Sequence, residues 1–339
     1  MKKLKVLLIV GIVVAFVLTG CGAKNSLGGN SNSGVTEDDN KGNNENNDTG
    51  NDATDESVAI FEKFLTGETT AVANAGVAGL TQDKEYSIND MASAFIMVVG
   101  IDYRLDVLNK IQYGIIDAGS DGETELALKF VYTNNDGSDS AEVMSILKNV
   151  DGKLHVLLRT DSYYRTESTI YENGVIVYGG SNSAYEYSME YRYLDKDGNV
   201  NYVAGLDTVY GLKKCIIPAG YLADMIAGSD TPTVPELCDG DENAPSYMMY
   251  MIKTAPYDYD NYDSEDFYNY SKEHLYYVFS DMDGEVFYEA DDDYASYYVN
   301  KSVNVVSVDK APTFLDELFA KYGLDSKCTQ ESIVTWKNL

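Results

Sequence analysis

Asparagine–glycine and aspartate–glycine pairs divide the middle of this chain into short β-rich segments. From Tyr113 to Tyr210, apolar and polar residues alternate, and the runs are interrupted at Asn134-Asn135-Asp136-Gly137, Asp151-Gly152, Asn173-Gly174 and Asp197-Gly198. Such pairs between alternating runs favour tight hairpins, because they tolerate the positive φ that these turns need. The last three turns lie about one hairpin apart, which predicts an antiparallel β-meander. A propeller or a solenoid is the alternative, but no strict repeat supports either.

Apolar residues at helical spacing lie on both sides of this region. The pattern predicts helices over 56–65, over Met91–Val99 after a cap at Ser87, over Asp102–Ile111 and over Pro312–Tyr322. We therefore expect an α+β fold, with short N-terminal helices on a mainly antiparallel β-meander sheet and a smaller β-rich C-terminal part. The expected boundaries are an α+β domain at 57–228, a proline-rich loop at 229–256 and the β-rich C-terminal part at 257–339.

The N-terminus has the pattern of a lipoprotein signal peptide over 1–20. A basic start precedes an apolar run from Val6 to Leu18, and Leu18-Thr19-Gly20 leads directly to Cys21. A transmembrane helix is the alternative, but the run is short for one. We expect cleavage before Cys21 and diacylation of its thiol, which would anchor the protein to the outer face of the cell membrane. Residues 21–56 are almost free of apolar side chains and predict a disordered tether.

The charge of the chain limits the classes of partner. Asp and Glu number 55 against 25 Lys and Arg, which leaves a net charge of −30. A protein that binds nucleic acid or an anionic membrane surface needs a basic patch, and the sequence offers none. The balance favours cations, basic partners or simple solubility.

An acidic, glycine-containing loop connects two apolar runs near residue 120. Asp117, Asp121, Glu123 and Glu125 lie at alternate or near-alternate positions, and Gly122 follows Asp121. Carboxylates two residues apart in a tight loop are typical of calcium sites. The third position of the usual pattern is Gly119, and the bidentate glutamate at the twelfth position is missing. The alternative is an acidic strand connection with no metal.

This loop also carries a family resemblance. The segment IDAGSDGETELAL (116–128), with Phe64-Leu65-Thr66-Gly67-Glu68 upstream, resembles the IDxGxDGxxELAL and FLxGE segments of uncharacterised surface lipoproteins of Gram-positive bacteria. The resemblance covers roughly Phe61 to Leu212 and does not include the C-terminal third. It implies a lipid-anchored, secreted location and no assigned activity.

Patterns typical of catalysis are weak. His155 and His274 lack a local nucleophile and an orienting partner. Ser145 and Lys148 match the Ser-x-x-Lys pattern of penicillin-binding enzymes, but the segment reads as a strand, whereas that serine normally begins a helix. No residue is therefore predicted to be catalytic.

Three cysteines follow Cys21, at Cys215, Cys238 and Cys328. Outside the cell an odd number permits one disulfide, and Cys215–Cys238 would close the proline-rich loop. Three reduced thiols are the alternative. The spacing and the lack of histidine partners argue against zinc.

A tyrosine-rich acidic segment is the main candidate for ligand binding. Its members are Tyr257, Tyr259, Tyr262, Tyr268 and Tyr270. Aromatic faces beside carboxylates suit sugar rings or protein partners, whereas ordinary packing is the alternative. We expect a lipid-anchored extracytoplasmic surface protein with a non-catalytic module that binds a glycan, a protein or calcium. A hydrolase of glycans or peptides and a structural lipoprotein of an envelope complex are the alternatives.

Overall fold

The computed structural model describes residues 51–103, 105–137, 139–181, 186–213, 246–257, 264–281, 304–306, 310–325, 327–330 and 332–339. These residues form a large, mainly antiparallel sheet with four α-helices. The prediction of an α+β fold dominated by an antiparallel sheet is confirmed. The signal peptide, Cys21 and most of the predicted tether lie outside the described residues.

The sheet contains 14 strands. They are β1 (Ala71–Ala73), β2 (Glu85–Tyr86), β3 (Val107–Ile116), β4 (Glu125–Thr133), β5 (Ser140–Val150), β6 (Lys153–Tyr163), β7 (Thr166–Ile170), β8 (Val175–Ser181), β9 (Glu186–Leu194), β10 (Val200–Lys213), β11 (Ser246–Lys253), β12 (Leu275–Asp281), β13 (Asn304–Val305) and β14 (Lys337–Asn338). From β3 to β13 each strand pairs with the next one along the chain, and β14 returns to pair with β3. Strand β11 occupies the end of the segment expected as a proline-rich loop.

The predicted turns connect neighbouring strands. Gly137, Gly152, Gly174 and Gly198 have φ between 70° and 84°, the left-handed region that glycine adopts without strain. They follow β4, β5, β7 and β9, respectively. The turn between β6 and β7 is different, since it contains Tyr164 and Arg165 and no glycine.

The helices are α1 (Asn51–Leu65), α2 (Ile88–Tyr103), α3 (Ser264–His274) and α4 (Ala311–Ala320). Ser87 and Asp90 form a reciprocal cap at the start of α2: the Asp90 backbone N–H donates to the Ser87 hydroxyl at 3.2 Å, and the Ser87 N–H donates to the Asp90 carboxylate at 3.0 Å. The prediction of a helix over Asp102–Ile111 is wrong, because residues 107–116 pair with β4. Pairing with β4, the next strand along the chain, overrides the local helical spacing there.

Three clusters of buried apolar side chains pack against the sheet within the described residues. The first core joins α1 and α2 to one face of β4–β6 and includes Phe64, Phe95 and Phe130. The second core joins α4 to one face of β8–β12 and includes Tyr191 and Phe319. The rings stack edge to face in both, at 5.5 Å for Phe95–Phe130 and 5.2 Å for Tyr191–Phe319.

The third core shows that the sheet curls. It combines Ala127 and Ile146 of β4 and β5 with Ile176 and Leu194 of β8 and β9. In a flat sheet β4 and β9 would lie about 24 Å apart, at about 4.8 Å per strand. The loop after β3 also bonds directly to the turn after β7, where the Asp117 N–H donates to the Glu172 carbonyl at 3.0 Å. The inner face of β3–β6 therefore turns towards the inner face of β7–β9.

Residues 332–339, here called the C-terminal tail, join the two ends of this curl. Ile333 pairs with Tyr171 after β7, and the Val334 N–H donates to the Ile170 carbonyl at 3.2 Å. Further on, Lys337 pairs with Tyr113 of β3. The tail packs tightly, since a Cβ at Gly114 would lie 2.4 Å from the Val334 side chain.

Candidate functional site

The acidic loop between β3 and β4 is held against two hairpin turns of the same sheet. The Asp117 N–H donates to the Glu172 carbonyl at 3.0 Å, and the Gly119 N–H donates to the Asn173 carbonyl at 3.4 Å. A Cβ at Gly119 would lie 2.7 Å from the Lys196 nitrogen, so glycine is required by space as well as by its φ of 86°. The loop therefore has a defined position at the end of the curl.

Two of the four predicted calcium ligands bind the backbone of their own loop. One Asp117 carboxylate oxygen accepts the N–H groups of Asp121 and Gly122, at 3.1 and 3.2 Å. Asp121 accepts the N–H of Glu123 at 2.8 Å. Aspartates commonly stabilise turns in this way without any metal.

Glu125 and Lys148 form a buried ion pair. Glu125 is 0% exposed and Lys148 is 6% exposed, and the Lys148 Nζ lies 2.5 Å from one Glu125 oxygen. The other Glu125 oxygen accepts the Ala118 N–H at 2.8 Å. Lys148 also lies 3.4 Å from a carboxylate oxygen of Glu123, which is largely exposed.

Burial and charge act in opposite directions on this pair. Burial alone would lower the pKa of Lys148, but its contacts with Glu125 and Glu123 raise that pKa above its usual value. Burial raises the pKa of Glu125, against the opposing effects of Lys148 and the Ala118 N–H. Because the Lys148 ammonium faces the carboxylates of both Glu123 and Glu125, Lys148 stays protonated and charged. The pair fixes the start of β4 against β5.

The four loop carboxylates are thus divided between the backbone, solvent and Lys148. Across the described part of the chain, no group of three or more His, Cys, Asp or Glu side chains is placed to hold a metal ion. Calcium binding by Asp117, Asp121, Glu123 and Glu125 stays a prediction from the sequence.

The Ser-x-x-Lys hypothesis is wrong. Val143 and Leu147 of β5 lie in the first core, whereas Met144 and Ile146 lie in the third core on the other face. Ser145 is on the first of these faces, and its buried hydroxyl donates to the Leu158 carbonyl at 2.6 Å. Lys148 is on the opposite face, so the two side chains cannot act together.

Each histidine has a local polar contact. The His155 Nδ1 lies 3.0 Å from the Asn74 amide oxygen, and the His274 Nδ1 lies 3.2 Å from the Thr254 hydroxyl. The Asn74 and Thr254 side chains are neutral and would not activate imidazole. The His274 Nε2 also lies 3.8 Å from a carboxylate oxygen of Glu273, the preceding residue, which is 76% exposed.

The described tyrosines of the tyrosine-rich segment pack against one another beside α3. The Tyr257 ring lies 4.8 Å from the Tyr270 ring and 4.8 Å from the ring of Phe267, which is buried. The Tyr270 hydroxyl donates to the Ala255 carbonyl at 2.6 Å. Both tyrosines are half-buried in this cluster. The other members of the segment, Tyr259, Tyr262 and the side chain of Tyr268, lie outside the described residues. Of the three cysteines that follow Cys21, Cys328 is buried in the second core, and Cys215 and Cys238 lie outside the described residues.

The sequence did not predict a second partly buried ion pair, between Asp207 of β10 and Lys253 of β11. The Lys253 Nζ lies 2.7 Å from one Asp207 oxygen, and the other oxygen is buried with no hydrogen-bond partner. Burial raises the pKa of Asp207 against the effect of Lys253, and Glu186 and Glu190 raise it further. The sequence does show Asp207 as a charged residue within the mainly apolar run of β10. Its partner, Lys253, could not be predicted, because that contact depends on how β10 pairs with β11.

Within the described residues, no helix is both long and apolar enough to cross a membrane. Comparison with protein-family models, with curated proteins and with solved structures finds no match to this chain.

Proposed function

We propose that this protein is a lipid-anchored surface protein of the extracytoplasmic face, and that its β-rich domain is a non-catalytic binding module. The observation that carries the proposal is the order of the first 21 residues: a basic start, an apolar run and Leu18-Thr19-Gly20-Cys21. We also infer that the N-terminal helices, the β-meander sheet and the β-rich C-terminal part together form the domain that is displayed.

The segment after Cys21 supports display at a distance from the membrane. It is rich in Asn, Gly, Asp and Ser up to Asn51, where α1 begins. As a flexible chain, a segment of this length would have a root-mean-square span of about 30 Å. That span would allow the domain to reach ligands beyond the lipid headgroups.

The domain itself supports binding over catalysis. The one serine–lysine pattern is divided between two sheet faces, and among the described residues neither histidine is hydrogen-bonded to a serine or a cysteine. The Glu273 carboxylate lies 3.8 Å from the His274 Nε2, but it is largely exposed. Exposed and half-buried tyrosines are the surface groups best suited to a ligand.

Acylation of Cys21 tests the anchoring part of this proposal. The full chain and its Cys21→Ser variant would be expressed in a bacterial host fed alkyne-labelled palmitate, with Cys215→Ser as a cysteine control. We expect the full chain and Cys215→Ser to incorporate the palmitate label and to appear in the membrane fraction. Cys21→Ser should do neither. Equal labelling of all three proteins would contradict the proposal.

A hydrolase is the second candidate, and Asp207 is the observation that favours it. A carboxyl group with a raised pKa beside other carboxylates is what a general acid requires. Incubation of the protein with purified peptidoglycan and with peptide libraries, beside Asp207→Asn, tests this. Release of soluble fragments by the parent and not by the variant would replace the binding module with an enzyme.

A further inference from the structure

The hairpin turn between β6 and β7 differs from the other tight turns of the sheet. Tyr163 pairs with Thr166, which leaves Tyr164 and Arg165 as the two central residues. Tyr164 has a φ of 54°, in the left-handed region, and Arg165 does not have a positive φ. In a two-residue hairpin loop, glycine, asparagine or aspartate normally takes a first central position that has positive φ.

Tyrosine is an unusual choice for this conformation. The other non-glycine residues with positive φ in the described ranges are Asp83, Ser120 and Asp151, all short polar residues of the kind found in turns. A bulky side chain in the left-handed region is strained. Tyr164 is the exception in a protein that uses glycine at four of its other turns.

The neighbouring residues hold the strained turn in place. The Thr166 hydroxyl donates to the Tyr163 carbonyl at 3.0 Å, and the Ser181 N–H donates to the Arg165 carbonyl at 3.0 Å. A Cβ at Gly180 would lie 2.9 Å from that same carbonyl, so β8 is shaped to receive the turn. Strain that the surroundings enforce in this way is found at functional sites.

The strained side chain contributes little to packing. Tyr164 is 80% exposed, more than any other large apolar side chain in the described ranges. The Arg165 guanidinium, also exposed, lies 5.5 Å from the Tyr164 ring centre, and the Tyr163 ring lies 6.2 Å away on the same turn. The Tyr163 hydroxyl donates to the Asp139 carboxylate at 2.9 Å, which fixes that ring. Packing against the described residues therefore does not explain a tyrosine at this position.

We propose that this turn, residues 163–165, is a glycan-contact site. The exposed face of Tyr164 stacks on a pyranose ring, and Arg165 donates hydrogen bonds to its hydroxyl or carboxylate oxygens. A protruding turn suits the surface of an extended polymer, whereas a small molecule needs a concave pocket. The net charge of −30 disfavours strongly anionic polymers, so a neutral or weakly charged glycan fits best.

This inference rests on the proposed extracytoplasmic location and makes the binding function specific. The test uses residues 21–339 with Cys21→Ser, that is, everything after the predicted signal peptide. The probes are two insoluble polymers of N-acetylhexosamine: peptidoglycan stripped of protein and anionic polymers, and chitin. Bound protein would be measured by co-sedimentation over a range of polymer concentrations.

We expect the parent protein to sediment with at least one polymer. Tyr164→Asn should weaken binding about tenfold, which is the loss of one stacked ring (about 1.4 kcal/mol). Tyr164→Phe keeps the ring and should bind like the parent. Tyr178→Asn, which removes the ring of a tyrosine that is 40% exposed on β8, is the matched control and should bind like the parent.

A second readout separates binding from folding. Because asparagine tolerates the left-handed region, Tyr164→Asn should raise Tm by about 2 °C while it weakens binding. A lower Tm would overturn the strain argument, and unchanged binding by Tyr164→Asn would overturn the site while leaving a glycan-binding module intact. Sedimentation of the parent with neither polymer would overturn the glycan proposal altogether. Binding that appears only with untreated walls and disappears after protease would assign the turn to a protein partner and overturn it as well.

Discussion

Removal of the Lys148 ammonium should destabilise the domain far more than removal of an ordinary surface lysine. In Lys148→Met, the Glu125 carboxylate keeps one hydrogen bond from the Ala118 N–H but loses its cation. Glu125 is 0% exposed, so water cannot replace that cation. The variant must therefore bury an uncompensated charge or protonate Glu125.

The magnitude follows from that burial. Loss of one partner of a buried ion pair costs about 3–5 kcal/mol. In a domain of this size that corresponds to a fall in Tm of roughly 10 °C. Lys129→Met is the matched control, because Lys129 and Glu142 also link β4 to β5, at 2.8 Å, but Glu142 is 40% exposed. Its expected cost is about 1 kcal/mol or less.

The assay is urea unfolding of the parent, both lysine variants, Glu125→Gln, and Lys148→Met combined with Glu125→Gln. Glutamine keeps an acceptor for the Ala118 N–H and carries no charge, so the combined variant leaves no uncompensated charge. Its cost should be smaller than the sum of the single costs by about 2 kcal/mol or more. Equal losses for Lys148→Met and Lys129→Met, or simple additivity in the combined variant, would refute the view that this pair is a buried, coupled charge.

Three further predictions concern the same sheet. Gly174→Ala should lower the free energy of unfolding by about 1–3 kcal/mol more than Gly122→Ala does. Both glycines have φ near 85°, but a Cβ at Gly174 would lie 2.7 Å from the Ala118 Cβ, whereas a Cβ at Gly122 would meet no atom within 4 Å. Equal urea midpoints for the two variants would contradict this. Burial raises the pKa of Asp207 in the folded protein above its unfolded value, so the folded state binds more protons between these two values. The free energy of unfolding should therefore fall as pH rises from about 4. The fall should be smaller in Asp207→Asn, and identical pH profiles for the two proteins would count against the raised pKa. Calcium binding by the acidic loop can be tested by adding millimolar calcium after a chelator. A rise in Tm of several degrees that Asp117→Ala removes would confirm the calcium prediction, whereas a shift of less than about 1 °C would fit a loop in which Lys148 already pairs with Glu123 and Glu125.

Local chemistry explains which features could be predicted from sequence. Turns at Gly152 and Gly174 depend on adjacent residues with positive φ, so the sequence alone indicates them. The helix expected over Asp102–Ile111 failed because its residues find a partner strand elsewhere in the chain.

Long-range pairing explains the features that could not be predicted. The contact between Glu125 and Lys148 depends on the exact register of β4 against β5, whereas the predicted turn at 134–137 indicates only that the two strands form a hairpin. The turn at Tyr164 lacks the usual turn residues, and only its backbone angle distinguishes it.

If the protein follows the extracytoplasmic route proposed above, the C-terminal tail has a consequence for its transport. Gln112 of β3 and Asn338 of the tail bond to each other across 226 positions of sequence, and the same tail pairs with the residue after β7. Contacts between segments so far apart in sequence form late in folding, because closing so long a loop costs entropy. Secretion through a translocation channel proceeds from the N-terminus, so β3 would emerge long before its last partner. The topology would delay closure of the domain until nearly the whole chain had crossed the membrane, and would keep it in a threadable state during transport.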